Sequence, residues 1–296
     1  MVADTFDINE IQSIFKNVER VPGSKKPDPI IVAQNVVRKF GGLTAVDVDR
    51  VEIQRGSITA LIGPNGAGKS TFFNLLTTFD QADEGKWYFN NVDITKFTPN
   101  ELAQKGLVRT FQLTKALSRL SVLDNVRLGA KNQIGEWLFA ALLKPLWIKR
   151  ELEVTAQAEE TLAQFNLLEK KSEFAGSLSG GQRKLLEMAR ALMLKPEIIM
   201  LDEPMAGVNP ALKQSLLGHI KNIRKNGTTV LFVEHDMDMV NDISDWVIVM
   251  AQGKIIAEGP PNEVMKNKNV IDAYLGSHHK NFLTQDGKSL SSDKQQ

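Results

Sequence analysis

The chain has 296 residues, of which 42% are hydrophobic and 24% charged, as in an ordinary globular protein with a large core. Its 36 basic residues nearly match its 35 acidic ones, so it lacks the strongly basic balance expected of a nucleic-acid-binding protein. It contains no cysteine, which excludes disulfides and thiol chemistry. The most apolar stretch, residues 137–148, is shorter than the ~20 residues that cross a bilayer. We therefore expect no membrane span.

Residues 1–29 are predicted to form an appendage to the main domain. Five apolar residues fall on one face of a short helix, at Ile8, Ile11, Ile14, Phe15 and Val18, and a proline-rich linker, "VPGSKKPDP", follows. Two alternatives remain open for this helix: packing on its own domain, which we favour, or docking to a partner. At the other end, the polar composition of residues 277–296 predicts a disordered tail.

Three short apolar runs each end in chemically useful residues. The run at 58–62 precedes a glycine-rich loop, the run at 198–201 precedes Asp202 and Glu203, and the run at 229–233 precedes Glu234 and His235. Continuous apolar runs that alternate with helical stretches are typical of parallel strands buried on both faces. In such sheets ligands bind beyond the carboxyl ends of the strands, so we expect the three ends to converge on one site.

The loop "GPNGAGKST" matches the phosphate-binding P-loop pattern between a predicted strand and a predicted helix. Its glycines, Gly63, Gly66 and Gly68, permit backbone angles that turn amides towards phosphates. Lys69 adds a positive charge at the β- and γ-phosphates, and the Ser70 hydroxyl can ligate Mg²⁺. The sequence therefore predicts a nucleoside triphosphate site.

Two further segments complete the predicted chemistry. In "IIMLDEP", Asp202 is placed to hold Mg²⁺, directly or through water, and Glu203 to accept a proton from the attacking water. In "LSGGQRK", Ser179 and Gln182 have capping-box spacing before an apolar-periodic helix. The bare amides at the start of that helix are a second potential anion site.

These motifs, with "RTFQ" and "VEHDM", occur in the order found in the ATPase subunits of ABC transporters, and the resemblance covers about residues 30–276. It implies an α/β fold: a P-loop NTPase core with a mainly parallel sheet, an N-terminal antiparallel β portion and an inserted helical subdomain at about 113–180. It also implies ATP and Mg²⁺ as cofactors, and two copies that associate head to tail. The P-loop of one copy and the "LSGGQ" helix of the other then enclose the same ATP.

The resemblance assigns roles residue by residue. Glu203, His235 and Gln112 are implied to be catalytic, with His235 at the γ-phosphate, and Ser70, Gln112 and Asp202 to serve the metal. The implied nucleotide-binding residues are Phe40, which stacks on adenine, Gly63, Pro64, Asn65, Gly66, Ala67, Gly68, Lys69, Ser70 and Thr71, with Ser179, Gly180, Gly181 and Gln182 in the signature loop. In "AGVNP", Asn209 stands where many relatives have Asp, which leaves the contacts of this loop open.

The sequences of five segments indicate which subfamily of these ATPases the chain resembles. "RKFGGLTAV", "VRTFQ", "EPMAGVNP", "VEHDMDMV" and "NVIDAYLG" resemble ATPase subunits of bacterial uptake systems for branched-chain or neutral amino acids. The implied partners are membrane permease subunits, a second ATPase subunit, identical or not, and indirectly an extracytoplasmic solute-binding protein, with no nucleic acid. The implied location is peripheral, on the cytoplasmic face of the plasma membrane. Residues 134–151 either dock the permease or pack within the helical subdomain.

Three other functions are weighed against this one. Urea and lipopolysaccharide transporters use similar ATPases, and the sequence does not separate them from amino-acid transporters. ABC ATPases that act on DNA or the ribosome carry long coiled-coil insertions or two cassettes, and this chain has neither. A non-hydrolysing switch is disfavoured because Lys69, Asp202, Glu203 and His235 are all present.

Overall fold

The structure, a computed structural model, describes residues 8–110, 117–131 and 144–275. Gln112, Trp137 and the tail at 277–296 lie outside the described residues. The chain forms two compact units. We call residues 8–96 and 233–275 the glycine-loop unit and the described part of residues 97–232 the signature unit. The sequence-based division at 29/30, 113–180 and 276/277 stays a prediction.

The elements follow one another in a β-rich first part and an alternating α/β remainder. In chain order they are α1 (Ile8–Lys16), β1 (Pro29–Phe40), β2 (Leu43–Gln54), β3 (Ile58–Ile62), α2 (Lys69–Leu76), β4 (Glu84–Phe89), β5 (Val92–Asp93), α3 (Pro99–Lys105), β6 (Leu107–Arg109), α4 (Val122–Arg127), α5 (Lys144–Gln164), α6 (Gly180–Leu192), β7 (Ile198–Asp202), α7 (Pro210–Lys225), β8 (Thr229–Val233), α8 (Met237–Ile243), β9 (Trp246–Ala251), β10 (Lys254–Gly259) and α9 (Pro261–Val264).

The glycine-loop unit contains two groups of strands. One is an antiparallel sheet in the order β2-β1-β4-β5, the antiparallel portion that the resemblance implies. In the other, β9 lies between β10 and β3, antiparallel to the former and parallel to the latter. Every residue of β3 is buried, which is why its sequence is an uninterrupted apolar run.

The signature unit combines strands in the order β8-β7-β6 with a helical part. β6 and β7 run parallel, and α4 packs against both α5 and α6. Several buried residues of these helices are small or branched, which allows close helix packing: Val122, Val126, Ala158, Leu162, Leu186 and Ala189. No helix in the described part of the chain has the length and apolar character needed to cross a membrane.

The three strands predicted at the reactive ends are confirmed. β3 and β8 have the predicted bounds, and β7 runs one residue further than predicted, to Asp202. The predicted helix after the glycine loop is α2, which begins at Lys69 and ends at Leu76. The predicted helix of the appendage is α1.

Helix α1 packs on the glycine-loop unit. Ile11, Phe15 and Val18 are buried, and the Phe15 ring stacks on the Trp246 ring with 4.7 Å between centroids. Trp246 begins β9 and is itself fully buried. The structure thus shows the favoured alternative, a helix packed on its own domain.

The proline-rich linker is fixed by a buried ion pair. The Nζ of Lys26 lies 3.0 Å from Oε2 of Glu258, with both side chains 1% exposed, and 4.6 Å above the Trp246 ring. Trp246 Nε1 also donates to Glu258 Oε2, at 2.9 Å. The backbone N–H of Lys26 donates to Oε2 of Glu52 at 2.6 Å. Burial lowers the pKa of Lys26, and the Glu258 carboxylate opposes that effect.

We expect Lys26→Met to destabilise the protein by about 3–5 kcal/mol, because Glu258 is then a buried charge without its cation. Urea unfolding followed by tryptophan fluorescence measures the change. Lys25→Met is the matched control, since Lys25 is the exposed neighbour, and we expect its effect to stay within about 0.5 kcal/mol. An equal effect for both variants would contradict the prediction.

Candidate nucleotide site

The glycine loop follows the buried strand β3 and is pressed against neighbouring backbone. Gly63 has φ +152°, and a Cβ built there would lie 2.0 Å from the carbonyl oxygen of Met250 on β9. Gly68 has φ +99°, and its Cβ would lie 2.3 Å from the carbonyl oxygen of Ala45. Only glycine fits at either position. The loop is therefore a backbone cradle of the kind that binds phosphates.

Lys69, the first residue of α2, folds back over this loop. Its Nζ donates to the carbonyl oxygens of Gly63 at 2.6 Å and Pro64 at 3.1 Å. Neutral carbonyls are weaker acceptors for an ammonium group than phosphate oxygens, so a nucleotide offers Lys69 better partners. Ser70, the next residue, has an exposed side chain.

Phe40 and His235 both present rings at the surface of the glycine-loop unit. The Phe40 ring is 49% exposed at the end of β1, and the Arg38 guanidinium lies 4.6 Å from its centroid. The His235 side chain is 64% exposed, whereas the preceding Glu234 is buried and accepts from the backbone N–H of His235 at 3.1 Å. An exposed aromatic ring can stack on a base, and an exposed imidazole can reach a phosphate.

In the signature unit, Asp202 ends β7 and carries an ion pair that sequence reasoning missed. Its Oδ2 lies 2.7 Å from a terminal nitrogen of Arg109, and the side chains are 11% and 7% exposed, respectively. Arg109 ends β6, the parallel neighbour of β7. The only signal in the sequence was its place in the "VRTFQ" segment.

Glu203 adopts a strained backbone conformation at the turn that follows β7. Its φ is +45°, in the left-handed region that costs a residue other than glycine about 1–3 kcal/mol. The Nζ of Lys184, from α6, donates to the carbonyl oxygens of Glu203 and Pro204, both at 3.0 Å. Strain held by a neighbouring element is characteristic of functional sites, and it sets the direction of the Glu203 side chain.

The signature helix α6 begins with the predicted capping box. The Ser179 hydroxyl accepts from the backbone N–H of Gln182 at 3.3 Å, and Oε1 of Gln182 accepts from the N–H of Ser179 at 3.0 Å. A Cβ at Gly180 would meet nothing within 4 Å, whereas one at Gly181 would lie 1.8 Å from Cδ2 of Leu212. The first glycine therefore faces open space, and the second allows α6 to pack against α7.

Asn209 caps helix α7. Its Oδ1 accepts from the backbone N–H of Leu212 at 2.9 Å, and Pro210 takes the first helical position. Asn and Asp are equally good capping residues, so Asn209 serves the helix as well as an aspartate would.

Each of the two units contains an oxygen donor of the kind that binds hard divalent cations. Ser70 offers a hydroxyl and Asp202 a carboxylate, which are ligands that Mg²⁺ prefers. With a triphosphate, Mg²⁺ supplies neutralisation of the phosphate charge. Gln112, the third predicted metal residue, lies outside the described part of the chain.

The segments that form the glycine cradle of one unit and the capped signature helix of the other lie within the match to a known family. The family model described as ABC transporter matches residues 46–206. The chain belongs to the ABC transporter ATP-binding family. A second family model, described as branched-chain amino acid ATP-binding cassette transporter, matches residues 254–280.

Relatives of this ATP-binding cassette cover most of its length. It is 41% identical over 248 residues to a probable branched-chain amino acid transport ATP-binding protein, LivG, of Archaeoglobus fulgidus, a match that covers 84% of this chain and 96% of the relative. It is 37% identical over 250 residues to the high-affinity branched-chain amino acid transport ATP-binding protein BraF of Pseudomonas aeruginosa, covering 84% of this chain and 98% of the relative.

Solved structures of ATP-binding cassettes are similar as well. A nucleotide-free cassette from an ABC transporter matches with a TM-score of 0.72 and 39% identity, covering 83% of this chain and 98% of the other. The ADP conformation of such a cassette matches with a TM-score of 0.72 and 39% identity, covering 84% and 99%. The predicted fold class and the resemblance to ABC transporter ATPases are thereby confirmed, and the chain is an ABC-type ATPase.

Proposed function

We propose that this cassette is the ATP-hydrolysing subunit of an importer for branched-chain or neutral amino acids. Two observations support the substrate class: the relatives named for branched-chain amino acid transport, and the match of residues 254–280 to the corresponding family model. The subunit works on the cytoplasmic face of the plasma membrane with separate permease subunits. The solute itself is chosen by the permease and by an extracytoplasmic binding protein.

The proposed mechanism is supported by one observation: the chain has two features that are suited to bind anions. The glycine loop with Lys69 is one, and the exposed start of α6 at Ser179 and Gly180 is the other. In our proposal the second feature serves the ATP that is bound by the loop of another ATPase subunit. ATP thus binds the closed dimer more tightly than the open one, and that difference in affinity drives closure.

The remaining predicted residues take their roles within this dimer. Glu203 accepts the proton of the attacking water, and His235 contacts the γ-phosphate. Asp202, Ser70 and Gln112 serve Mg²⁺, while Phe40 stacks on the adenine. Hydrolysis removes the γ-phosphate that joins the two subunits, so the dimer opens again.

The permease is proposed to dock on the apolar face at the start of α5, within the predicted 134–151 segment and just beyond it. Ile148 and Leu152 are one helical turn apart, and their side chains are 41% and 66% exposed. Adjacent exposed apolar side chains on a helix are typical of a protein interface.

The experiment is ATP-driven leucine uptake by proteoliposomes that contain the tagged chain with the permease purified with it from native membranes, in the presence of the solute-binding protein of the same system. We expect uptake, and Leu152→Asp should reduce it at least ~10-fold with unchanged ATPase activity of the isolated subunit, because the aspartate disrupts docking only. Leu275→Asp, at another exposed leucine, should leave uptake unchanged. Uptake of urea but not leucine would contradict the substrate class, and equal losses in both variants would contradict the docking face.

A further inference from the structure

The carboxylate proposed to serve the metal, Asp202, already holds a cation of the chain itself. Arg109 and Asp202 are joined at 2.7 Å. Strand pairing fixes this geometry, because Arg109 is paired in register with Met200, and the backbone N–H of Thr110 donates to the Met200 carbonyl at 2.9 Å. The pairing of β6 with β7 therefore places the guanidinium beside the end of β7.

Burial makes this pair hard to break without a replacement. Both side chains are largely shielded from solvent, so neither charge would be rehydrated if the two groups separated. A buried charge that loses its partner is strongly disfavoured. If Asp202 takes up a metal ion, Arg109 loses this carboxylate as an acceptor.

A cavity of about 820 Å³ beside Arg109 contains another carboxylate. Glu187 of the signature helix lines it, is 7% exposed, and also lines a small cavity bordered by Asp202. Among the described residues that line the larger cavity, Glu187 is the one acid. A guanidinium that turns from Asp202 into the cavity would therefore meet Glu187.

We propose that Arg109 is a positioning residue that neutralises Asp202 in the metal-free state and turns towards Glu187 when Asp202 takes up the metal. The inference rests on the proposed metal role of Asp202. It also connects that event to α6, because Glu187 lies on the helix whose first turn carries Ser179. Metal binding at one end of β7 would thus change a contact of the signature helix of the same subunit.

The direction in which Arg109→Met changes the Mg²⁺ requirement tests this proposal. If Arg109 competes with the metal, Arg109→Met should lower the Mg²⁺ concentration for half-maximal binding of a fluorescent β,γ-imido ATP analogue about tenfold, the coupling expected of charges in contact. The analogue is not hydrolysed, so turnover does not enter the measurement. An increased or unchanged Mg²⁺ requirement would overturn the proposal, since Arg109 would then help the metal or ignore it.

A second variant, Glu187→Gln, should change the Mg²⁺ requirement in the opposite direction. It tests the proposal even if Arg109→Met does not fold. Glu187→Gln removes the negative charge that would attract the guanidinium, so Arg109 stays on Asp202 and the Mg²⁺ requirement should rise several-fold. A lowered or unchanged requirement would again overturn the proposal. Lys131→Met is the control, because Lys131 lines the same cavity and donates to the carbonyl of Gln104 at 3.0 Å, and it should leave the titration unchanged.

Asp202→Asn separates the failure of this inference from the failure of the proposed function. If Asp202 serves the metal, Asp202→Asn should raise the Mg²⁺ requirement. If that variant has no effect, the proposed metal role is wrong and the inference falls with it. If Asp202→Asn raises the requirement but Arg109→Met does not lower it, only the role of Arg109 is wrong.

Discussion

Replacing Glu203 by Gln is expected to slow ATP hydrolysis by about 10²–10⁴-fold while ATP binding is retained. The amide has the size and shape of the carboxylate but cannot accept a proton from water. A positioned general base contributes about this much to a hydrolysis rate. Among single substitutions in this chain, we expect this one to have the largest effect on turnover.

The structure around Glu203 makes the substitution a clean test of chemistry. Its φ of +45° is fixed by the turn after β7, and Lys184 holds this turn through the carbonyl oxygens of Glu203 and Pro204. These contacts involve only main-chain atoms of the turn, so they persist in the variant. Under the proposed function, a subunit that binds ATP without hydrolysing it should also accumulate as a closed dimer.

Two measurements follow the prediction. Phosphate release at saturating Mg²⁺-ATP gives the rate, and gel filtration in the same buffer gives the oligomeric state. Glu197→Gln is the matched control, because Glu197 is an exposed glutamate just before the opposite end of β7, and its rate should equal that of the wild type. Wild-type turnover in Glu203→Gln would place the base elsewhere. A variant that stays monomeric when saturated with ATP, both alone and mixed with the second ATPase subunit, would contradict closure.

The features that could be predicted from the sequence are those that depend on contiguous residues. The glycine loop, the capping box at Ser179 and the apolar runs of β3, β7 and β8 each depend on neighbours within a few positions. Periodicity and capping are local physics, so one segment is enough to read them.

The features that sequence reasoning missed join distant parts of the chain. Arg109 and Asp202 are 93 residues apart, and Lys26 and Glu258 are 232 apart. Both cations look like ordinary solvated side chains in the sequence, because nothing nearby indicates burial or a partner. Only the pairing of β6 with β7, and the path of the linker across the Trp246 ring, bring these charges together.

Replacing Lys69 by Met is expected to weaken ATP binding about 10–100-fold. Hydrogen bonds to charged groups contribute about 1.5–3 kcal/mol each, and the methionine keeps the apolar stem while removing the ammonium. The loop itself should persist, because its course is set by the close approaches of Gly63 to Met250 and of Gly68 to Ala45. The loss should therefore appear in nucleotide affinity rather than in fold.

Isothermal titration with ADP and with the imido analogue measures this loss without hydrolysis. The matched control is Lys86→Met on β4, whose Nζ forms an exposed ion pair with Asp93 at 3.7 Å, and both affinities should match the wild type there. A larger loss for the analogue than for ADP is expected, since only the analogue presents a γ-phosphate to Nζ. If Lys69→Met binds both nucleotides as the wild type does, the ammonium stays on the carbonyls of Gly63 and Pro64 in the bound state. The lysine would then be a structural brace of the loop and not a phosphate ligand.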